Sequence, residues 1–480
     1  MGGLILDKIF ADFLCEPPSR REGGGFSLRV NPSPGEVPMR KITTLLAAAT
    51  MLLGTPAARG DTVEVTSTTL LTVGPQTRGG APGVSPDVVT VAPAYEMIDV
   101  SARGVTNSFA KDLQLAVSTW GSVEMSDHRW DAGTSGAVNA DLVTAYVSGR
   151  VAKDAVLLRV GREMVMAGVG RMLHLDGGEA VVSLGGFRVS GYAGAPVSQR
   201  FQTRSGTVSW NPMGGDLAYG GRVSYTWAAP GFAGRGCDVG ASFNQVTDGG
   251  DLVRQEVALD GRLGLWRTVT ATAFAAYSPY ESRFSEITAA ANWTASKKLF
   301  LTADYRFTAP DLFLSRQSIL SVFSDSERQD IGGGARYDLG QGMRLGLDAH
   351  LAVQPGRTSG TYYGSDGSAR LDWRRGDASA GVEGLYLNAL ENGYYGARLF
   401  GRRDWGRWFG TADVLGTFFR EEVNGQTLAL TGTLTAGLKL AHGFSAILSG
   451  RAGVTPYMEQ AFDVMAKLVY NQTYTAKEVR

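Results

Sequence analysis

Charged side chains in this sequence recur at every second position, with other residues between them. Asp304 and Arg306 flank Tyr305, and Arg344 precedes Asp348 with leucine and glycine in the intervening positions. Arginine and carboxylate groups that share a strand or lie on neighbouring strands can form bidentate ion pairs. The spacing therefore predicts charged surfaces built from one face of many strands.

Catalytic candidates are few, because the chain has four histidines and two cysteines. His350 shares a strand face with Asp348 and Arg344, but no nucleophile is evident near it. Cys15 falls in a region that we expect the mature protein to lack. Cys237 is then alone, and it is predicted to pack as a small apolar residue. We expect no enzyme activity, no catalytic residue, no metal site and no cofactor.

Composition excludes two further classes of protein. Lys and Arg number 46 and Asp and Glu number 46, so the net charge of zero gives no indication of a nucleic-acid partner. Beyond residue 60, no segment gives about eighteen uninterrupted apolar residues, which excludes membrane-spanning helices. The 64 glycines are about double the usual share and suit a sheet with tight turns and closely packed strands.

From residue 61 onward, about twenty segments of roughly ten residues alternate between apolar and polar side chains. In the segment 299–307, alternate residues would point to opposite faces of a strand. One face carries Leu299, Leu301, Ala303, Tyr305 and Phe307, and the other, more polar face carries Phe300, Thr302, Asp304 and Arg306. Many such strands in succession are typical of a barrel with lipid outside and water inside. We predict an all-β fold, a large single-chain transmembrane antiparallel up-and-down barrel of about 22 strands (range roughly 18 to 22), with no plug domain.

The connections between the segments alternate in length, as in outer-membrane barrels with short periplasmic turns and long extracellular loops. An even number of strands requires a first strand at 61–73, and the hairpin near 180–193 is the weakest of the predicted elements. The predicted short turns lie at 152–154, 185–186, 340–341, 404–406 and 441–443, and the predicted long loops at 123–139, 165–178, 194–215, 308–328 and 354–367.

The N-terminal region resembles an export signal. Met39, Arg40 and Lys41 precede the apolar stretch 45–53, and small residues at 58 and 60 suit signal peptidase cleavage. We expect residues 1–38 to be an upstream or disordered extension, 39–60 a Sec signal peptide and 61–480 the barrel, although 1–38 could be a genuine N-terminal segment. The expected location is the outer membrane of a Gram-negative cell. The expected partners are its lipid and lipopolysaccharide and the barrel-assembly machinery.

Residues 157–195 contain the runs Leu-Leu-Arg-Val-Gly-Arg-Glu, His-Leu-Asp-Gly and Ser-Leu-Gly-Gly-Phe-Arg-Val. This section, less than a tenth of the chain, resembles the early strand–loop–strand region of alginate-export-type and related substrate-selective porins. The resemblance implies that Arg159 points into a lumen beside Glu163, and the alternation independently places both on the wet face. The C-terminus departs from the usual aromatic ending of such barrels, because a charged tail ending at Arg480 follows Tyr474.

The polar phase of the strands supplies the predicted lumen lining, and the default role of each member is to brace the wall through ion pairs. Its slight basic excess gives at most a weak preference for anions. The residues singled out are Arg150, Arg159, Glu163, Arg222, Arg254, Asp304, Arg306, Arg336, Arg344, Asp348, Arg370 and Arg398.

Loop 308–328 is too apolar for a freely solvated loop. It either narrows the lumen or packs against neighbouring loops, and loop 194–215 is a second candidate for the same role. The possible constriction residues are Asp311, Phe313, Arg316, Ile319 and Phe323.

These features favour a channel for the passive passage of small hydrophilic solutes. A barrel of this size could instead sheathe another envelope component, such as an electron-transfer cytochrome or an export complex. A barrel enzyme and a soluble lectin-like β protein are weaker alternatives. Conductance of the purified protein in a planar bilayer separates the channel from the sheath.

Overall fold

The computed structural model describes residues 62–78, 87–105, 110–126, 138–152, 154–166, 172–197, 216–228, 236–309, 327–355, 360–389, 392–456 and 458–475. Within these ranges the regular secondary structure consists of strands and contains no helix. Accordingly, no helix in the described part of the chain is long and apolar enough to cross a bilayer.

The strands follow one another along the chain with short interruptions. They are β1 (Thr62–Arg78), β2 (Asp87–Val91), β3 (Pro93–Val105), β4 (Lys111–Glu124), β5 (Val138–Val151), β6 (Val156–Met166), β7 (Met172–Leu184), β8 (Phe187–Pro196), β9 (Leu217–Ala228), β10 (Gly236–Asp248), β11 (Asp251–Trp266), β12 (Val269–Ser278), β13 (Arg283–Thr294), β14 (Leu299–Thr308), β15 (Arg328–Gly340), β16 (Met343–Pro355), β17 (Thr361–Arg375), β18 (Ala378–Asn388), β19 (Gly393–Trp405), β20 (Trp408–Val423), β21 (Gln426–Lys439), β22 (Phe444–Thr455) and β23 (Met458–Thr475).

The sheet closes on itself. β2 pairs only with the distal part of β1, which leaves 22 of the 23 strands in the wall. Each of these strands is antiparallel to its sequence neighbour, and the last strand pairs with the first from Thr62↔Thr475 to Val73↔Val464. A closed sheet has no unpaired edge. The predicted all-β, antiparallel barrel is confirmed, including the first strand that the even count required.

The two faces of the wall differ in chemistry because successive side chains point to opposite sides of a strand. One phase carries large apolar side chains that are more than half exposed, including Val160 (66%), Leu259 (68%), Leu434 (68%) and Phe462 (63%). We call this phase the apolar face, and the opposite phase, which carries most of the charged residues, the polar face. The cross-strand register keeps each phase on one side of the sheet.

Two loops are shorter than the sequence predicted. The segment 165–178 was expected to be a loop, but β6 extends to Met166 and β7 begins at Met172; likewise 354–367 was expected to be a loop, but β17 begins at Thr361. Their glycines suggested turns, yet several lie inside strands where backbones approach closely. A Cβ atom on Gly177 would lie 2.2 Å from the carbonyl oxygen of Ala193 on the next strand. Glycine there permits close pairing rather than a turn.

The hairpin near 180–193 is fully formed. β7 and β8 pair from Leu175↔Pro196 to Leu184↔Phe187, and Gly185 and Gly186 make the connecting turn. Cys237 is buried, as predicted for a small apolar residue.

Gly342 in the β15–β16 turn provides a test of this backbone packing. Its φ is +81°, and a Cβ atom there would lie 1.9 Å from the carbonyl oxygen of Arg374. Gly425 has a similar φ of +77° but no atom within 4 Å of the corresponding position. Both Gly→Ala substitutions introduce left-handed backbone strain of about 1–2 kcal/mol. Gly342→Ala adds a steric clash with the Arg374 carbonyl oxygen, whereas Gly425→Ala adds none.

We therefore expect Gly342→Ala to lower the thermal unfolding temperature of the detergent-solubilised barrel more than Gly425→Ala does. Loss of the heat-modifiable gel shift with temperature measures this difference. Equal effects would show that the approach of β17 to this turn does not constrain the barrel.

Candidate functional site: the polar face of the barrel

The charged residues predicted from the sequence share the polar face. The register places them in the phase opposite to the exposed apolar side chains, on strands distributed around the barrel. These residues are Arg150, Arg159, Glu163, Arg222, Arg254, Asp304, Arg306, Arg336, Arg344, Asp348, Arg370 and Arg398. The five candidate constriction residues, from Asp311 to Phe323, lie outside the described residues.

Arg159 on β6 joins two carboxylates. Its guanidinium lies 3.2 Å from Glu163 on the same strand and 3.2 Å from Glu179 on β7. The adjacency to Glu163 agrees with the expectation from the resemblance. Tyr146 on β5 also lies on the polar face, with the guanidinium of Arg159 5.0 Å from its ring centroid.

Arg222 on β9 links three strands. Its Nη2 lies 2.5 Å from Asp238 on β10, and its Nε donates to Asp260 on β11 at 2.9 Å. Thr226 donates a further hydrogen bond to Asp238 at 2.8 Å. Cross-strand pairs of this kind fix neighbouring side chains and orient their remaining hydrogen-bonding groups.

A buried stretch of the polar face lies between β8 and β13. Tyr192 donates a hydrogen bond to Asn244 at 2.8 Å, and Ser285 donates to Glu256 at 2.8 Å. Asn244 and Ser285 are fully buried, and Glu256 is 2% exposed. Buried polar groups require such partners, because an unmade hydrogen bond away from water is costly.

The β17–β20 part of the wall combines arginines with a phenylalanine. Arg370 donates from Nε to Asp372 at 2.9 Å, and Arg398 does the same to Asp413 at 2.9 Å. The Phe400 ring lies between the two guanidinium groups, at 4.5 Å from Arg370 and 5.2 Å from Arg398. The arginines are thereby held by both stacking and ion pairing.

A different set of arginines lies exposed near the short-turn end of the barrel. Within the described residues, none of them is within 4 Å of a carboxylate oxygen, so their charges are not neutralised by direct ion pairs. They are Arg150, Arg188, Arg262, Arg336, Arg344 and Arg374, all on the polar face. Exposed charges without a partner contribute to the electrostatic potential over this part of the face.

On the same face, His350 on β16 lies between the carboxylates of Asp304 on β14 and Asp366 on β17. Asp366 falls within the predicted loop 354–367, and Glu179 is not among the residues predicted to line the lumen. Both belong to strands in which glycines interrupt the apolar pattern. The alternation of Asp366, Ser368 and Arg370 was the signal that could have identified Asp366.

This face is built from charged and polar side chains. Across the described residues, no group of three or more His, Cys, Asp or Glu side chains is arranged to hold a metal ion. The charged groups instead bind one another across strands or face open space.

Comparison with known proteins gives structural likenesses alone. No protein-family model matches the chain, and no curated protein matches it. The outer-membrane protein OpdK of Pseudomonas aeruginosa is similar at 8% identity and a TM-score of 0.42, covering 86% of this chain and 99% of that one. OccK8 (OprE) of the same organism is similar at 10% identity and a TM-score of 0.41, covering 86% and 98%.

The P pilus usher (PapC) translocation pore is similar at 9% identity and a TM-score of 0.47, covering 86% of this chain and 100% of that one. Likenesses at this level carry no argument about function. The chain is a closed antiparallel β-barrel, defined by its own strand pairing.

The Arg222 network provides a test of wall bracing. Arg222→Ala would leave Asp238 and Asp260 without their shared cation, and we expect it to reduce the free energy of unfolding by about 1–2 kcal/mol. Arg374→Ala removes an exposed arginine with no described ion pair, so its effect should stay within about 0.5 kcal/mol. Urea unfolding of the folded barrel in detergent micelles measures both. Indistinguishable values would contradict a bracing role.

Proposed function

We propose that this protein is an outer-membrane channel for the passive passage of small hydrophilic solutes, and that its polar face lines a water-filled lumen. The observation that supports this is the separation of ion pairs and exposed large apolar residues onto opposite faces of one closed sheet. Exposed apolar residues around a whole barrel require lipid contact, and a charged face requires water.

The proposed orientation follows from the chain connections. Thr62 at the start of β1 pairs with Thr475 at the end of β23, so both described ends of the chain lie at the same end of the barrel as the short turns. In outer-membrane barrels that end is periplasmic. The proposal includes the Sec signal at 39–60, contact with lipopolysaccharide, and insertion by the barrel-assembly machinery.

No chemical step is needed for this function. Solutes would move down their concentration gradients, and paired groups such as Arg222 with Asp260 would hold the wall in shape. Exposed, unpaired groups such as Arg336 would set the preference for one sign of charge. We therefore propose transport without catalysis.

Single-channel recording tests the proposal directly. Purified protein, shown to be folded by its heat-modifiable migration, should give stepwise ion conductance when added alone to a planar lipid bilayer. The absence of conductance from folded, inserted protein would contradict the channel. Such a result would favour a sheath whose lumen is occupied by another envelope component.

The exposed arginines at the short-turn end provide a prediction about selectivity. Replacing Arg336, Arg344 and Arg374 by glutamine removes three positive charges from the polar face, so the anion-to-cation permeability ratio should fall roughly twofold. Reversal potentials in a potassium chloride gradient measure the ratio, and the effect should weaken at high ionic strength.

Arg375→Gln is the matched control for this change. Arg375 is exposed at the same end of β17 but occupies the apolar phase of the strand. Its replacement should leave the permeability ratio unchanged. A control that altered the ratio as much as an arginine of the polar face would argue against a lumen on that side of the sheet.

A further inference from the structure

His350 belongs to a row of aligned residues, one on each of four neighbouring strands. The register aligns Asp304 on β14, Gly332 on β15, His350 on β16 and Asp366 on β17. A Cβ atom on Gly332 would lie 2.3 Å from Cδ2 of His350, so the imidazole occupies the space that glycine leaves open. The ring can therefore reach across β15 towards β14.

Both nitrogens of this imidazole lie within 4 Å of a carboxylate oxygen, and the contact between Nδ1 and Asp366 also has hydrogen-bond geometry. Nε2 lies 3.3 Å from Oδ2 of Asp304, and Nδ1 lies 3.3 Å from Oδ2 of Asp366. A neutral imidazole has one N–H donor and one lone pair, so it can donate to only one of the two. The other nitrogen would then direct its lone pair at an anion. Only the protonated ring can donate to both carboxylates.

We propose that Asp304, His350 and Asp366 form a proton-operated charge switch in the barrel wall. When the imidazole takes one proton from solvent, it links β14 to β17 and the three groups carry a net charge of −1. When it releases that proton to solvent, one contact is lost and the net charge becomes −2. The electrical consequence rests on the proposed function, because it requires this face to line the conducting path.

The surrounding arginines are engaged by other carboxylates. On β14, Arg306 lies 3.6 Å from Glu286 of β13, and on β15, Arg328 lies 2.7 Å from Asp330. On β17, Arg370 is bonded to Asp372. Within the described residues, no arginine or lysine lies within 4 Å of Asp304 or Asp366, so His350 is the basic side chain that contacts them.

Two further groups complete this environment. Asp348 lies two residues before His350 on the same face and has no ion pair among the described residues, and Tyr394 on β19 is near enough to interact with Asp366. Neither supplies a positive charge, and free aspartate stays ionised above about pH 5. Histidine is the side chain that ordinarily changes charge between about pH 5 and 8. His350 is the histidine that contacts both carboxylates of this patch.

The test is the cation-to-anion permeability ratio at pH 5.5 and pH 8 in planar bilayers. The wild type should show a roughly twofold higher ratio at pH 8, because the wall then carries one more negative charge. His350→Gln should remove this difference, and His350→Arg should give the acid-like ratio at both values. A pH response that persists in His350→Gln would overturn the switch.

His442→Gln and Asp348→Asn are the matched controls. His442 lies in the β21–β22 turn. Asp348 lies on the same strand and face as His350, but it forms no ion pair with His350 among the described residues. Both variants should retain the pH response, although Asp348→Asn should shift the ratio at both values. Loss of the response in either variant would assign it to a different group.

A spectroscopic measurement separates this proposal from the channel function. In protein labelled with ¹⁵N-histidine at pH 5.5, both ring N–H groups of His350 should be protected from solvent exchange, with assignment by their loss in His350→Gln. Asp304→Asn should selectively perturb the Nε2–H signal and Asp366→Asn the Nδ1–H signal. If neither signal responds, the switch is wrong even in a conducting channel; if both respond in a protein that does not conduct, the switch stands and the channel fails.

Discussion

Pairing between the first and last strands is the constraint on which the rest of this structure depends. Every strand in the wall must find backbone hydrogen-bond partners on both sides, and β1 and β23 can do so only by meeting each other. Backbone groups in hydrocarbon have no water to replace a missing partner, so closure and lipid contact belong together. The even number of antiparallel strands in turn brings both described ends of the chain to the same end of the barrel.

Closure gives the two faces of the sheet different solvents, and the side chains follow this division. The polar face is itself uneven: Arg370 and Arg398 are held by carboxylates and by Phe400. By contrast, Arg336, Arg344 and Arg374 near the short turns have no ion pair among the described residues. The paired groups add structure with little net charge. The unpaired groups and the His350 patch carry uncompensated charge, so we expect selectivity to depend on a minority of the charged residues in the wall.

The fold could be predicted from the sequence because the two faces of each strand differ in polarity. Apolar and polar residues therefore alternate with a period of two in segments such as 299–307. The side-chain networks were less accessible. Nothing local in the sequence shows that His350 meets Asp304 across an intervening strand, since that contact depends on the register and on glycine at 332. Asp366 was predicted to lie in a loop because glycines in the first part of β17 interrupt the apolar alternation that indicates a strand.

The contact between residues 62 and 475 also has a kinetic consequence. The first strand cannot acquire its second neighbour until nearly the entire chain has been synthesised, so the most distant contact in sequence is required to complete the sheet. Folds dominated by long-range strand pairing form slowly and pass through aggregation-prone intermediates. Until these two strands pair, the sheet keeps two open edges, and a truncation near the C-terminus would leave both edges unpaired.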